Sequence, residues 1–231
     1  MKLWFAVLLA LSGLAGAQQK PVSPPVAAPG AVPVAVEDEP HHHLLLKNPF
    51  VEVMRVTVAP GESTLFHTHS HDGAAVFLAN TSIVQQKMGE AEDTPKPIEV
   101  GGLSMRTLTD GPYTHRVRTV GTGSFEVLDV EFLGQPGPAS EPIAPVAAEG
   151  ASARLYKWLL APGMTAAPHT HVRPYLIVAV QAMRLKMTSP EGQSMTMEVK
   201  PGEFHWIDAK VTHTLANDGT TAGGIVEIES K

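Results

Sequence analysis

The sequence predicts an all-β protein built from two copies of one domain. Residues 59–69 and 161–171 match at six of eleven positions, and each copy places a Pro-Gly turn before a His-Thr-His triplet. Short β-branched or apolar segments alternate with Gly and Pro turns, and no segment shows the 3.6-residue period of an amphipathic helix. This pattern is typical of β-sandwiches and barrels rather than of βαβ units.

Composition excludes several functional classes. The 231 residues carry a net charge of −6 without a Lys/Arg cluster, which argues against nucleic-acid binding. The chain has no cysteine, so disulfides, thiolate metal sites and cysteine nucleophiles are excluded. Its 11 histidines are the remaining source of soft metal ligands.

The N-terminal residues have the pattern of an export signal. Lys2 precedes an apolar run that ends at Leu14, and small residues at 15–17 provide a signal-peptidase site. The alternative is a membrane anchor, but a run of about 12 apolar residues is too short to span a bilayer. We therefore expect residues 1–17 to be a cleaved signal peptide and the mature protein to be secreted or periplasmic, without a membrane span.

Proline-rich segments divide the rest of the chain. Residues 18–40 carry six prolines without periodicity, which predicts a flexible tether. The two copies occupy residues 41–134 and 151–231, and the Pro/Gly-rich stretch 135–150 is the predicted linker. Pairing of such domains through edge strands would give a homodimer.

The last predicted strand of each copy alternates apolar and acidic residues. Residues 128–132 read Leu-Asp-Val-Glu-Phe, and residues 226–229 read Val-Glu-Ile-Glu. Since successive strand residues point to opposite faces, we interpret both as half-buried antiparallel strands with one apolar and one polar face.

Histidines recur in the same pattern in both copies. Two histidines at i and i+2 share one face of a strand, so each pair can aim two imidazoles at one ion. A third histidine follows after 46 residues in the first copy and 42 in the second. The metal-ligand candidates are His67, His69, His115, His169, His171 and His213.

The motifs around these histidines resemble the paired motifs of the cupin superfamily. A Gly lies six residues before each His-x-His pair, and His213 has a Gly eleven residues before it and Asn217 four after it. The similarity covers nearly all of residues 45–231, so the chain looks like a bicupin. The resemblance implies two tandem jelly-roll barrels, each with a divalent metal ion inside its mouth.

The sequence departs from the family pattern at one ligand. Cupins place a glutamate four or five residues after the second histidine, where this chain has Gly73 or Ala74 and Tyr175 or Leu176. The resemblance then implies three-histidine sites without a carboxylate, unless Asp72 contributes in the first copy. Cysteine dioxygenase-like and diketone-cleaving oxygenases are family members of that type.

Three neutral ligands would leave a divalent ion with its full charge and favour an anionic substrate or enolate. Fe(II) is the favoured ion, with Mn, Ni, Zn and Cu open because all accept imidazole. We therefore expect an oxygenase-type, dioxygenase-like enzyme that acts on a small organic molecule. The alternative is a non-catalytic periplasmic module that binds a small molecule or the metal itself.

Two residues after the second pair are candidate catalytic residues. Arg173 could bind a substrate carboxylate and Tyr175 could donate a proton, the alternative being a rim salt bridge and a barrel-wall aromatic. In the first copy, His71 extends the strand face of the histidine pair and is an additional candidate ligand.

Two further features allow a metal interpretation. The run 41–43 consists of three histidines, but consecutive strand residues alternate faces, so we interpret it as a partly exposed edge strand. Several of the nine methionines lie in residues 183–197 and are interpreted as filling the core. The alternative for them is a Met/His surface that handles copper in an exported protein.

Overall fold

A computed structural model describes residues 31–134, 141–208 and 210–231, which form two β-barrels, one from each half of the chain. The predicted signal peptide and residues 18–30 of the predicted tether lie outside the described residues. Among the residues described, no helix has the length and apolar character needed to cross a membrane.

The first barrel consists of two five-stranded sheets. A short 3-10 helix, Val36–Asp38, lies between its first two strands. In chain order the strands are β1 (Val34–Ala35), β2 (His42–Lys47), β3 (Val51–Val58), β4 (His67–His69), β5 (Gly73–Phe77), β6 (Thr81–Lys87), β7 (Lys96–Ile98), β8 (Leu103–Arg106), β9 (Tyr113–Thr119) and β10 (Phe125–Phe132). Their order is β1-β4-β9-β6-β7 in one sheet and β2-β3-β10-β5-β8 in the other.

The second barrel repeats this plan with one strand fewer. Its strands are β11 (Ala148–Glu149), β12 (Ala153–Leu160), β13 (His169–His171), β14 (Tyr175–Gln181), β15 (Met183–Thr188), β16 (Ser194–Val199), β17 (Phe204–Ile207), β18 (Val211–Asn217) and β19 (Gly223–Ser230). The sheets have the orders β11-β12-β19-β14-β17 and β13-β18-β15-β16. The predicted fold class, two tandem all-β jelly-roll barrels, is confirmed.

The Pro-Gly turns hold the histidine segments against the third-histidine strands. Gly61 and Gly163 have φ of 82° and 74°, a left-handed conformation that favours glycine. The Gly61 amide donates to the Thr119 carbonyl at the end of β9, and the Gly163 amide donates to the Asn217 carbonyl at the end of β18. The two turns therefore fix the same contact in both barrels, although the motif Asn is a Thr in the first.

The two barrels share one hydrophobic core. The sheet that contains β10 packs against the sheet that contains β19, and the apolar side chains between them form a single buried cluster. Its members include Val53, Val76, Leu128, Val130, Phe132, Leu155, Leu176, Val178, Val226 and Ile228. Each such side chain contributes roughly 1.5–3 kcal/mol when fully buried, so this contact stabilises both halves.

The acidic faces of β10 and β19 are buried as well. Asp129 and Glu131 point into the first barrel and Glu227 into the second, and all three are at most 6% exposed. The alternation of apolar and acidic residues predicted both strands correctly, but the prediction that one face of each strand is exposed to solvent was wrong. Their apolar face packs on the other barrel and their acidic face lies inside their own barrel.

The predicted tether and linker both contain ordered structure near the barrels. Val34 and Ala35 pair in parallel with His67 and Thr68 of β4, so the flexible tether predicted through residue 40 ends earlier. At the end of the predicted linker, β11 pairs with β12. The histidine run begins an edge strand, β2, as predicted, but His42 within it is buried.

Candidate metal centres

Four histidines meet inside the first barrel. His67 and His69 leave β4 on one face, and cross-strand pairing of β4 with β9 places His115 directly opposite His67. The Nε2 atoms of His69 and His115 are 3.1 Å apart. His42 enters from β2, and its ring centroid lies 4.6 Å from that of His67. One nitrogen each from His42, His67 and His69 lie within 4.8 Å of one another.

Hydrogen bonds fix the orientation of three of these rings. The Nδ1–H of His42 donates to Glu39 at 2.6 Å, that of His67 to the Leu65 carbonyl at 3.0 Å, and that of His69 to Glu131 at 2.6 Å. An Nδ1–H donor leaves Nε2 with its lone pair, the state in which imidazole binds a metal. These partners therefore prepare Nε2 of all three rings as metal ligands.

The surroundings keep His67 and His115 neutral. Burial, with His42 and His69 close by, lowers the pKa of His67 to about 3. Burial also holds the pKa of His115 well below its usual range. For Glu39, burial would raise the pKa of the carboxyl, but hydrogen bonds from His42, His41 and the Leu65 amide outweigh it and hold the pKa at about 2. Neutral imidazoles near an ionised orienting carboxylate, that of Glu39, suit a cation.

A cavity of about 360 Å³ adjoins the four histidines. Its apolar wall includes Phe77, Val117 and Phe125, and its polar end includes Arg106 and Asp129. Such a volume is in the range of small-molecule sites in proteins. The first barrel therefore combines a candidate metal centre with room for an organic ligand.

Arg106 compensates the carboxylates at the polar end of this cavity. Its guanidinium donates to Glu131 at 2.8 Å and to Asp129 at 3.4 Å. Burial would raise the pKa of Asp129, but Arg106 and His69 lower it, so the carboxyl is ionised. The guanidinium of Arg106 therefore forms ion pairs with both Asp129 and Glu131.

In the second barrel, three histidines and a glutamate converge. Pairing of β13 with β18 places His213 opposite His169, and their Nε2 atoms are 2.8 Å apart. Glu227 of β19 lies 3.4 Å from Nε2 of both and 3.3 Å from Nε2 of His171. The family resemblance implied no carboxylate ligand in this barrel, and that prediction was wrong, because the last strand supplies Glu227.

Aromatic side chains enclose this second group. Tyr175 stacks on His171 with 3.6 Å between ring centroids, and Trp158 stacks on His169 at 5.0 Å. The indole N–H of Trp158 also donates to Glu227 at 2.7 Å. The four ligand candidates are buried, and the rings of Trp158 and Tyr175 cover the group beside His169 and His171.

The charge state of the second group follows from the same contacts. Burial would raise the pKa of Glu227, but His169, His171 and His213 outweigh it and hold the pKa well below its usual range. Burial would lower the pKa of His169, but Glu227 outweighs it and raises that pKa. The centre therefore contains a fixed negative charge.

Unsatisfied buried atoms indicate that both donor sets fit a cation. Among the described residues, Nε2 of His171 and Oε1 of Glu227 have no hydrogen-bond partner, although they lie 3.3 Å apart. A buried polar atom without a partner is costly, and a divalent ion between the imidazoles and the carboxylate would satisfy these atoms. Four imidazoles in the first barrel offer a second donor set for such an ion.

The two carboxylates inside the barrels occupy equivalent positions. Asp129 lies opposite Ala75 of β5, and Glu227 lies opposite Ile177 of β14, at the same point of the repeat. The aspartate, shorter by one methylene, has its Oδ2 3.7 Å from Nδ1 of His69 rather than at an Nε2 atom. Both acids follow the third histidine by fourteen residues, a spacing that could have identified them from the sequence.

The remaining predicted candidates lie away from the ligand groups. His71 contacts Glu131 at 3.2 Å and is partly exposed, while Asp72 accepts hydrogen bonds from the Leu108 amide and the Ser152 hydroxyl. Asp72 therefore does not complete the first centre. Arg173 is buried, and its Nη1 donates to the Ser230 carbonyl at 2.9 Å.

Tyr175 lies beside the second centre, where its ring stacks on His171. Burial, with Glu227 nearby, raises the pKa of its hydroxyl. That hydroxyl is buried and has no hydrogen-bond partner in the described part of the chain. The catalytic roles of Tyr175 and Arg173 remain predictions.

No protein-family model and no curated protein sequence matches the chain. Solved structures do. A cupin 2 conserved barrel domain protein from Leptotrichia buccalis matches with 13% identity and a TM-score of 0.51, over 82% of this chain and 88% of that one. At this identity the match concerns the fold.

Two enzyme structures also share the fold. The salicylate 1,2-dioxygenase from Pseudaminobacter salicylatoxidans has 11% identity and a TM-score of 0.52, over 81% of this chain and 76% of that one. The oxalate decarboxylase from Bacillus subtilis, studied for its Mn(II) centres, has 11% identity and a TM-score of 0.52, over 87% of this chain and 78% of that one. The architecture of tandem cupin barrels is thereby confirmed.

Proposed function

We propose that this two-domain cupin is a metal-dependent enzyme that acts on a small organic molecule in its first barrel. The observation that carries the proposal is the cavity of about 360 Å³ that adjoins four convergent histidines. The second barrel has a comparable ligand group but encloses it in aromatic side chains. An accessible centre with room beside it is what a reaction on a small molecule requires.

The residues that would hold the ion are His42, His67, His69 and His115. A divalent ion with these neutral ligands keeps its full charge, and Fe(II), the favoured ion, or Mn(II) would supply the Lewis acidity and the O2 chemistry of an oxygenase. Ni, Cu and Zn also accept four imidazoles, so the donor set alone leaves the ion open.

The chain itself would bind and orient the substrate. Phe77, Val117 and Phe125 line one side of the cavity and would exclude water from an apolar part of the ligand. Arg106, Asp129 and the histidines form the other end, so an anionic or enolic oxygen would lie there, toward the ion. The cavity therefore fits an amphipathic molecule with an apolar body and one anionic head.

The structural neighbours support the class of reaction. A salicylate 1,2-dioxygenase and an oxalate decarboxylase share the fold, and the names of both contain a small organic anion. An oxygenase that acts on a small organic anion is consistent with both the neighbours and the cavity. Export to the periplasm or medium, and a homodimer, are part of this proposal and rest on the sequence alone.

A non-catalytic role remains the second candidate, and the ring-covered centre of the second barrel favours it for that half. Glu227 and three histidines lie behind Trp158 and Tyr175, whose rings stack on His169 and His171. An ion bound there would stabilise the folded state by mass action rather than react with a substrate. If the first barrel behaved in the same way, the protein would be a binding module.

The experiment that tests the proposal is a metal count combined with O2 uptake. Protein purified without chelators would be analysed by ICP-MS as the natural sequence, as His67→Ala/His69→Ala and as His169→Ala/His171→Ala. Each double variant should lose the ion of its own barrel. O2 uptake would then be screened with salicylates, α-hydroxy acids and 1,3-diketones.

Uptake that disappears in the first-barrel variant and persists in the second-barrel variant would support the enzyme. Absence of bound metal after reconstitution with Fe(II), Mn(II), Ni(II), Cu(II) and Zn(II) would refute the metal-dependent enzyme and leave a module that binds a small molecule. Metal binding to the first barrel without turnover of any substrate class would favour the binding module.

A further inference from the structure

The mouth of the second barrel carries a pair of methionines. Strands β15 and β16 pair so that Met187 and Met195 lie directly opposite each other, which brings their side chains together on one face. Both line a surface cavity of about 300 Å³. Met195 is 55% exposed, which is unusual for a methionine that only fills a core.

The same cavity reaches the candidate metal centre. His213 is among its lining residues, although it is only 2% exposed. Its Nε2 belongs to the buried group with His169 and Glu227. Its Nδ1 is buried and has no hydrogen-bond partner within the described ranges. One imidazole therefore lies between the buried centre and the surface cavity.

The chemistry of the lining selects among cations. In the part of the chain that the structure describes, no carboxylate and no charged side chain lines this cavity, whose other members are Thr188, Ser189, Gln193, Ser194, Val211 and Thr212. Hard cations such as Mg²⁺ and Ca²⁺ require carboxylate oxygens and are disfavoured. Thioether and imidazole donors favour soft ions such as Cu(I).

Comparison with the first barrel shows that the fold does not require a methionine at the position of Met187. Met187 lies opposite Leu215, two residues after the third histidine of its barrel. The equivalent residue, Gln85, lies opposite Val117, two residues after His115. A polar residue thus occupies the same position in the first barrel, so the fold accepts a side chain other than methionine there. In the second barrel Met187 packs against the buried core, as predicted for the methionines, whereas Met195 is exposed.

We propose that Met187, Met195 and His213 form a surface site for a soft monovalent cation of the Cu(I) or Ag(I) class, at the entrance to the second-barrel centre. The site is independent of the reaction proposed for the first barrel. It needs the cross-strand methionine pair and a lone pair on Nδ1 of His213, which the neutral ring has when Nε2 carries the proton beside Glu227. The soft ion would therefore compete for His213 with an ion bound in the second-barrel centre.

Site-resolved NMR of the full chain would test this. Protein labelled with ¹³C at the methionine methyl groups would be titrated with Ag(I), a redox-inert probe, and with Mg²⁺ for comparison. The Met187 and Met195 methyl signals, assigned by single Met→Leu variants, should shift first with Ag(I) and not with Mg²⁺. Met→Leu conserves volume, so the variants should fold, which a thermal unfolding curve would verify.

The double variant Met187→Leu/Met195→Leu gives the quantitative test. It should weaken the tightest Ag(I) site by more than about tenfold, since even the loss of an outer hydrogen-bond partner costs about that much metal affinity. Met164→Leu is the matched control, because Met164 is exposed at a turn and does not line the cavity. Unchanged Ag(I) affinity in the double variant, or a Met164 signal that shifts as early as Met187, would overturn the proposal.

Discussion

The two barrels place the same histidine triplet in the same register but surround it differently. At one position the first barrel has Val56, opposite Val127, where the second has Trp158, opposite Ile225. At another it has Gly73 where the second has Tyr175. Val56 lines the cavity of the first barrel and Arg106 fills the space beside Gly73, whereas rings cover the histidines of the second barrel. The side chains around the ligand groups, rather than the ligands themselves, therefore distinguish the two centres.

The difference extends to a fourth donor. The His42 ring lies 4.6 Å from that of His67, and Trp158 lies 5.0 Å from the equivalent His169. His42 reaches this place because β2 has six residues, whereas β11 has two. The second barrel compensates with Glu227, whose side chain reaches the histidines directly. The first centre thus has four imidazole donors, and the second has three imidazoles and a carboxylate.

The largest effect on stability is expected from removing one of the rings that cover the second centre. Tyr175→Ala should lower the free energy of unfolding by about 3–5 kcal/mol, because it removes a fully buried ring and leaves a cavity. Urea unfolding would measure the change. Tyr175→Phe is the control, since it removes only an unpartnered hydroxyl and should be nearly neutral. A Phe variant as unstable as the Ala variant would show that the hydroxyl, not the packing, matters.

The second prediction concerns the charge difference between the centres. Glu227→Gln in the metal-free protein should cost about 3 kcal/mol, as expected when one partner of a buried ionic group is removed. The equivalent change Asp129→Asn should cost only about 1 kcal/mol, because Arg106 retains Glu131 as a partner. Both values would come from urea unfolding in the presence of a chelator. Equal costs would mean that the two acids have the same role.

The third prediction concerns the fourth histidine. His42→Ala should weaken metal binding in the first barrel by about 10–100-fold, because it removes a donor that Glu39 holds in place. Competition with a chelator of known affinity would measure it. His43→Ala is the matched control, since the neighbouring side chain is exposed. If both variants bind metal as the natural protein does, His42 is not a ligand.

The last variant, Val56→Trp, should change stability least but should strongly reduce the access of water to an ion in the first barrel. Val56→Trp introduces the second-barrel residue into the first-barrel cavity and should cost only about 1 kcal/mol, because space exists there. With Mn(II) bound, the variant should enhance water-proton relaxation less than the natural protein does. Unchanged relaxation would mean that the cavity does not admit solvent to the ion.

The sequence was sufficient to predict the repeat, the all-β fold and the six histidines, because each depends on local spacing. His-x-His pairs share a strand face wherever the strand lies, and each third histidine lies on the strand that pairs with its triplet. Glu227 was missed because an apolar–acidic alternation normally indicates one solvent-facing side. That inference fails in a barrel whose outer face is covered by a second barrel.

The contribution of His42 could not be predicted from a local pattern. It depends on how far β2 extends along β3, and on Val56 leaving the space that Trp158 fills in the other barrel. Glu39, which orients His42, lies in a segment whose prolines suggested a tether. The length of β2, the space beside Val56 and the contact with Glu39 all depend on the tertiary structure rather than on local sequence.

The strands that carry the acids also carry the shared core. Val130 and Ile228 pack between the barrels, while their neighbours Asp129 and Glu227 face the two centres. If binding of an ion displaced either strand, the hydrophobic core that the strand shares with the other barrel would therefore be disturbed as well. We expect the whole molecule to melt as one cooperative unit, with occupancy of either centre raising the melting temperature of both halves through thermodynamic linkage.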